Sequence, residues 1–192
     1  MTYKARHDFP GVIHHLSTRG NDRQLIYLLE VDRDEFLAIL AKVVERNGWI
    51  VLAYCLMGNH YHLVVETPEA NLAAGMRYLN GRYALRFNRR HGRSNHLFGM
   101  RYHEQFVARD SHLRESIRYV LLNPVRAGLS SRAGDWPWSS YAATAGFVEP
   151  PEFLATATAL GLFDERASHA RGRFIEFVAD GLNDALTARR AA

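Results

Sequence analysis

Met57-Gly58-Asn59-His60-Tyr61-His62-Leu63-Val64-Val65 is the stretch on which the fold turns. A strand repeats every two residues, so from 60 to 66 the even positions (His60, His62, Val64, Glu66) share one face and the odd ones (Tyr61, Leu63, Val65) the other. The odd face is apolar or aromatic throughout and belongs on a core. That turns both imidazoles to the opposite side of the sheet, where they could grip one metal ion as a pair. Histidines at this spacing also occur simply hydrogen-bonded within a strand. Just upstream, residues 49–57 are nearly continuous in apolar character, the mark of a central strand. Gly58-Asn59 is so short a link that the two strands must be antiparallel neighbours.

Working outward, residues 11–18 read as a first strand, ended by the turn cluster Arg19-Gly20-Asn21-Asp22 with Arg23 beside it. Asp32 is expected to N-cap a helix in which Phe36, Leu37, Leu40, Val43 and Val44 recur at helical spacing up to the stop Asn47-Gly48. Pro68 is expected to open a second helix. Its apolar stripe is Leu72, Met76, Leu79, Tyr83 and Phe87, and Arg82, Arg86, Arg89, Arg90 and Arg93 crowd its second half. Residues 95–107 contain the alternation of a fourth strand. A third helix then runs from Asp110 or Ser111 to Asn123-Pro124, with Leu113, Ile117, Val120 and Leu121 as its core face. At ~100° per residue, Tyr119 and Asn123 lie together on the flank of that helix, with Ser116 beside them. Trp136-Pro137-Trp138-Ser139-Ser140-Tyr141 reads as an aromatic packing turn. Pro150-Pro151 is the best boundary, 152–182 look helical and 187–192 read as a frayed tail.

The order βαββαβ followed by helices predicts an α+β fold: a ferredoxin-like, RRM-like sandwich with a mainly antiparallel sheet. It divides into residues 1–147 and a helical extension, 148–192. With 192 residues and 47% hydrophobic content, the chain can bury a substantial core. No apolar stretch is long enough to span a bilayer, and residues 1–10 lack the apolar run of a signal peptide. The single cysteine, Cys55, allows no internal disulfide and reads as a buried core thiol, so a cytoplasmic location is expected. Eleven arginines lie between residues 77 and 126 against Glu104, Asp110 and Glu115, a local net of +8 in a chain of net +4. A basic middle on an acidic remainder suggests a polyanion. Twenty-two of the twenty-four basic residues are arginine, which suits bidentate phosphate contacts. An arginine run at a helix C-terminus is also a common solvated face.

These parts suit phosphodiester chemistry. A tyrosine hydroxyl can attack phosphorus and conserve the bond energy in a covalent link, given a metal to polarise the phosphate. Two neutral imidazoles plus one amide oxygen leave positions open for substrate oxygens. Mg²⁺ or Mn²⁺ would fit, and zinc stays open on ligand type. A free tyrosine ionises near pH ~10, so Tyr119 would need a cation close by, Arg118, Arg126 or the metal.

The segments Arg19-Gly20-Asn21-Asp22-Arg23, Met57 to Leu63, Leu79-Asn80-Gly81-Arg82-Tyr83 through Asn88-Arg89-Arg90, His96-Leu97-Phe98, Arg118 to Leu129 and Trp136 to Tyr141 carry a resemblance. In this order and spacing the chain resembles the REP-associated tyrosine transposases, bacterial relatives of the single-tyrosine insertion-sequence transposases in the HUH endonuclease superfamily. The resemblance covers about residues 10–147. It implies an HUH fold, with His60 and His62 as paired metal ligands, Asn123 as the third ligand, and Tyr119 as the nucleophile that forms a 5′-phosphotyrosine and frees a 3′-OH. The implied partners are single-stranded DNA and the hairpins of repetitive extragenic palindromes (REP elements) in the bacterial nucleoid, with no membrane. Arg19, Arg23, Arg82, Arg86, Arg89, Arg118 and Arg126 are the candidate DNA contacts. The resemblance implies a monomer, the dimer of the insertion-sequence relatives being the alternative. Tyr61 stands where the family has a plainly apolar residue and is still expected to face the core. Two rival functions remain: a protein that binds DNA or RNA hairpins without cutting, and a His-x-His hydrolase that uses water. His15 is the one further residue expected to approach the site, or else to be structural.

Overall fold

A computed structural model of the chain describes residues 9–108, 111–184 and 186. It contains β1 (Val12–Arg19), α1 (Glu30–Asn47), β2 (Ile50–Leu56), β3 (His60–Thr67), α2 (Leu72–Arg90), β4 (His103–Val107) and α3 (Ser111–Leu121). After these come α4 (Asn123–Arg126), α5 (Tyr141–Thr144), α6 (Thr156–Gly161) and α7 (Ala167–Asp180). The four strands form one sheet in the order β2-β3-β1-β4, every neighbouring pair antiparallel. This is the α+β, ferredoxin-like βαββαβ arrangement with helices appended. Among the described residues no helix is long and apolar enough to cross a membrane.

Strand alternation separates two cores. Leu16, Tyr61, Leu63 and Val65 pack with Phe36, Leu40, Met76, Leu79 and Tyr83 on the α1 and α2 side. Ile13, Val64 and Val107 pack with Leu113, Ile117 and Val120 of α3 and with Phe174 and Val178 of α7 on the other. The sheet is therefore covered on both faces, and β3 serves both cores. Tyr61 faces the α1 and α2 core, as expected. It is fully buried, its hydroxyl donates to Asn80 Oδ1 at 2.5 Å, and it accepts from Thr18 Oγ1 at 2.9 Å.

β2 is an edge strand by pairing, not the central strand expected from its apolar run. Its edge is closed by the C-terminal third. Leu56 N–H donates to Trp138 O at 2.8 Å, Ser140 N–H to Tyr54 O at 3.0 Å, and Ala155 N–H to Val51 O at 2.9 Å. Trp136 Nε1 adds a bond to Leu56 O at 3.1 Å. A covered edge needs neither charge nor proline to prevent strand-to-strand association, so the sequence could stay apolar. Cys55 is buried within this strand, and burial pushes its thiol pKa up.

Other boundaries also differ from expectation. Asp32 is the third residue of α1, not its N-cap. Its carboxylate reaches back to accept from the Leu28 and Leu29 N–H groups, each at 2.9 Å. Burial pushes its pKa up, but the Leu29 N–H, His91, the Leu28 N–H and Arg90 together hold it below its usual value. α2 begins at Leu72, because Asn71 at the N-cap position bridges the Trp49 indole N–H (2.8 Å) and Asn47 O (2.8 Å), leaving residues 68–70 in a bend. β4 is confined to His103–Val107. Asp110 and residues 187–192 lie outside the described residues. The segment after Pro150 packs into both cores through Leu154, Leu160 and Phe174.

Gly75 of α2 sits against Trp49, where an added Cβ would lie 2.2 Å from ring atom Cζ2. The indole is pinned by Asn71, so it cannot swing aside. Alanine would gain at most about 1 kcal/mol of helix propensity, against about 1–3 kcal/mol for overpacking. Gly75→Ala is therefore expected to lower the urea midpoint by the equivalent of up to about 3 kcal/mol with an unchanged slope; a midpoint above wild type would contradict this packing.

Candidate active site

The even-numbered face of β3 carries His60 and His62, their rings nearly perpendicular with centroids 5.0 Å apart. Register brings neighbours to them. Arg19 of β1 pairs with His60, and Ser17 pairs with His62 on one side and with His103 of β4 on the other. His15 reaches diagonally, its Nε2 3.0 Å from His62 Nδ1. His60 Nδ1 lies 2.7 Å from Asn59 Oδ1.

α3 crosses this face and delivers Tyr119. Its ring stands edge-on to His15 and His62, with centroids 5.7 and 6.0 Å away, and remains 43% exposed while Leu113, Ile117 and Val120 of the same helix are buried. The Arg126 guanidinium lies 4.6 Å from the ring centroid, and its Nη1 donates to Tyr119 O at 3.0 Å. The helix breaks after Leu121 and resumes at Asn123, with Leu122 N–H still bonded to Arg118 O and Ala127 N–H to Asn123 O. Asn123 thus stays one turn beyond Tyr119, buried, with Nδ2 donating to Tyr119 O at 3.2 Å. Among the described residues, no hydrogen bond links Asn123 to either imidazole.

A groove of about 1320 Å³ runs from His60 and His62 past Ser17, Arg19 and Arg23 to the 99–106 segment. An adjoining cavity of about 600 Å³ holds His15, His62, His103, Tyr119, Arg118 and Arg126. Four of the seven candidate arginines therefore lie around the histidines. Arg82, Arg86 and Arg89 do not: they are exposed on α2, which covers the opposite face, and Arg86 pairs with Glu35 at 3.6 Å. Arg118 is pinned by Glu115 at 2.6 Å and stacks on Phe177.

Burial, reinforced by Arg19, lowers the His60 pKa to about 4. Burial and then His103 lower His15 to about 4. His62 is driven well below its ordinary value by burial, then by His15, His60, Arg19 and His103. All three are neutral at pH 7, the form a metal requires. The Nδ1 atoms of His60 and His62 are engaged, and each Nε2 has no hydrogen-bond partner among the described residues. Among the described residues no group of three His, Cys, Asp or Glu is placed so that it could hold a metal ion, so the set falls short of a closed zinc site. The two free Nε2 atoms suit a cation that keeps positions open for water and phosphate oxygens.

Residues 10–121 match the family model "Transposase IS200 like". The chain belongs to the IS200-like transposase family. The matched segment includes both histidines and Tyr119 and stops short of Asn123. The chain is also similar to a Haemophilus influenzae protein described as a REP-associated tyrosine transposase, 26% identical over 148 residues, covering 71% of this chain and 84% of that protein. Its fold is similar to that of a REP-associated tyrosine transposase solved bound to a REP hairpin, with TM-score 0.66 and 19% identity over 76% of this chain and 86% of the other.

In this IS200-like transposase, strand register adds residues that sequence reasoning missed or left open. His15 joins His62 directly, and His103 and Gln105 of β4 line the cavity. The signal was present in the alternation of β1 and β4, but their pairing partners were not.

The histidine shifts have a pH consequence. Folded pKa values lie below the ordinary 6.5, so the unfolded chain binds more protons between pH 6.5 and about 4. Their stabilisation is complete above about pH 6.5 and is lost as the pH falls toward 4. Urea midpoints measured from pH 7.5 to 4.5 should fall, and His62→Gln, which removes one such group, should fall less steeply. Parallel curves would show that His62 does not resist protonation in the folded state.

Proposed function

We propose that this protein is a metal-dependent endonuclease and strand transferase that cuts and rejoins single-stranded DNA at REP-type palindromic hairpins through a 5′-phosphotyrosine. The observation that carries this reading is the placement of Tyr119 against His62, on the face that also presents His60, where two adjoining cavities meet at His62. The similarity to a REP-associated tyrosine transposase bound to a REP hairpin supports the choice of substrate.

In this reading Tyr119 Oη attacks the scissile phosphorus, the P–O3′ bond breaks, and the departing oxygen takes a proton to become a free 3′-OH. The phenolic proton leaves to solvent, and the 5′ phosphate stays esterified to Tyr119 until another 3′-OH attacks it and releases the tyrosine. His60 and His62 through Nε2, with Asn123 Oδ1, would hold Mg²⁺ or Mn²⁺, which when bound supplies Lewis-acid polarisation of the phosphate. Arg126 holds the Tyr119 ring from behind and places positive charge beside the reacting phosphate. Tyr61 is no rival nucleophile, being buried on the other side of the sheet with its hydroxyl already bonded. His60, His62 and Tyr119 come from one chain, so a monomer suffices. The chromosomal substrate would be met in the bacterial cytoplasm.

Wild type and Tyr119→Phe should be compared on denaturing gels with labelled single-stranded hairpin DNA, with Mn²⁺ or EDTA. Expected is a metal-dependent covalent adduct that is absent in Tyr119→Phe, while hairpin binding stays within about twofold. Tight binding with no adduct in any metal would leave a hairpin-binding protein. Cleavage that persists in Tyr119→Phe would indicate water as nucleophile. Separately, binding should weaken linearly on a log–log plot against salt, and Arg19→Ala and Arg23→Ala should each reduce the slope by about 1. Unchanged slopes would remove these two arginines from the phosphate path.

A further inference from the structure

We infer that Asn59 and His15 are positioning residues that hold His60 and His62 in the Nδ1–H tautomer, so that both Nε2 lone pairs are presented to one cation. This rests on the reading of His60 and His62 as metal ligands.

For His60 the proton's place follows from the network. Asn59 Nδ2 donates to Arg23 O at 3.0 Å, which orients the amide and leaves Oδ1 facing His60 Nδ1 at 2.7 Å. An amide oxygen only accepts, so His60 Nδ1 must carry the hydrogen and Nε2 the lone pair. Asn59 is itself fastened. Its carbonyl accepts from Gly20 N–H at 2.8 Å, and the preceding Gly58 carbonyl accepts from Ile26 N–H at 3.0 Å. The loop that presents Arg23 O holds two non-glycine residues at positive φ, Asp22 at 49° and Arg23 at 59°. Such conformations are unfavourable for residues with a Cβ and persist where surrounding contacts over-determine them. The loop therefore has a purpose beyond its charge: its backbone sets the Asn59 amide, which sets His60.

For His62, a single proton lies between its Nδ1 and His15 Nε2 across 3.0 Å. A neutral His62 that binds a cation through Nε2 must carry its proton on Nδ1 and donate it to His15, which then carries its own on Nδ1. In water a neutral histidine side chain favours the opposite, Nε2–H form, so both ligands need a partner to present Nε2. Partners of this kind fix ring orientation and tautomer in metal sites, and their loss typically costs about 10–100-fold in affinity.

The test uses full-length protein labelled with ¹⁵N in histidine, in EDTA at neutral pH. Long-range ¹H–¹⁵N correlation spectra, assigned with His60→Gln and His62→Gln, report each tautomer without any metal. Expected in wild type is Nδ1–H for both His60 and His62. Asn59→Ala should convert His60, and His15→Phe should convert His62, to Nε2–H, with Mn²⁺ affinity by calorimetry reduced about 10–100-fold. His15→Gln and Asn59→Asp, which keep an acceptor oxygen, should retain the wild-type tautomers even if the truncating variants fold poorly. Nε2–H at either histidine in wild type would overturn the inference while leaving the metal reading intact, as would Mn²⁺ affinity unchanged in folded Asn59→Ala and His15→Phe. Failure of wild type to bind Mn²⁺ at all would sink the metal reading itself, and this inference with it.

Discussion

The two-residue alternation of β3 binds the hydrophobic core to the chemistry. Tyr61, Leu63 and Val65 are buried against α1 and α2, and that burial leaves His60 and His62 only the other face. Each such side chain stabilises the fold by roughly 1.5–3 kcal/mol when buried. A one-residue slip would reverse every side chain and put two imidazoles into the apolar layer. The Tyr61 hydroxyl, bonded to Thr18 and Asn80, further marks the register with a polar contact that only one alignment satisfies. A site built on this strand is held by most of the core.

The second core brings the tyrosine. Val64, between the face positions of His62 and Glu66, packs under α3, so the helix that carries Tyr119 is seated on the strand that carries the histidines. α7 and the segment after it support α3 from outside. Gly181 lies so close that an added Cβ would meet Arg118 Cδ at 2.7 Å and Leu122 Cδ1 at 3.0 Å. The same C-terminal third closes the β2 edge through Trp138, Ser140 and Ala155. Its contribution is to fix α3 and to seal a sheet that would otherwise expose an apolar edge.

Much of this was legible in the sequence because it rests on local periodicity. The βαββαβ order, the Gly58-Asn59 hairpin, the burial of Tyr61 and the core stripes of α2 and α3 all follow from spacing of two or about 3.6 residues. What periodicity cannot supply is pairing. His15 and His103 enter the site because Ser17 faces both His62 and His103 in the sheet. The position of β2 is not legible either, because a covered edge and a central strand share one apolar pattern. Charge alone marks Arg82, Arg86 and Arg89 as candidate DNA contacts but does not say which layer they occupy, and α2 packs on the face opposite the histidines. Asn59 has the sequence signature of a turn residue, and its hydrogen bond to His60 depends on a loop some forty residues earlier.

The most direct measurement of the central claim is where the DNA becomes attached. Trypsin cuts after Arg118 and Arg126, releasing a peptide in which Tyr119 is the sole tyrosine. After reaction with a single-stranded hairpin, Mn²⁺ and nuclease trimming, mass spectrometry should find that peptide carrying a nucleotide through a phosphodiester to Tyr119. An unmodified Tyr119 peptide beside a free 5′-phosphate on the cleaved DNA, or the nucleotide on any other residue, would contradict the account.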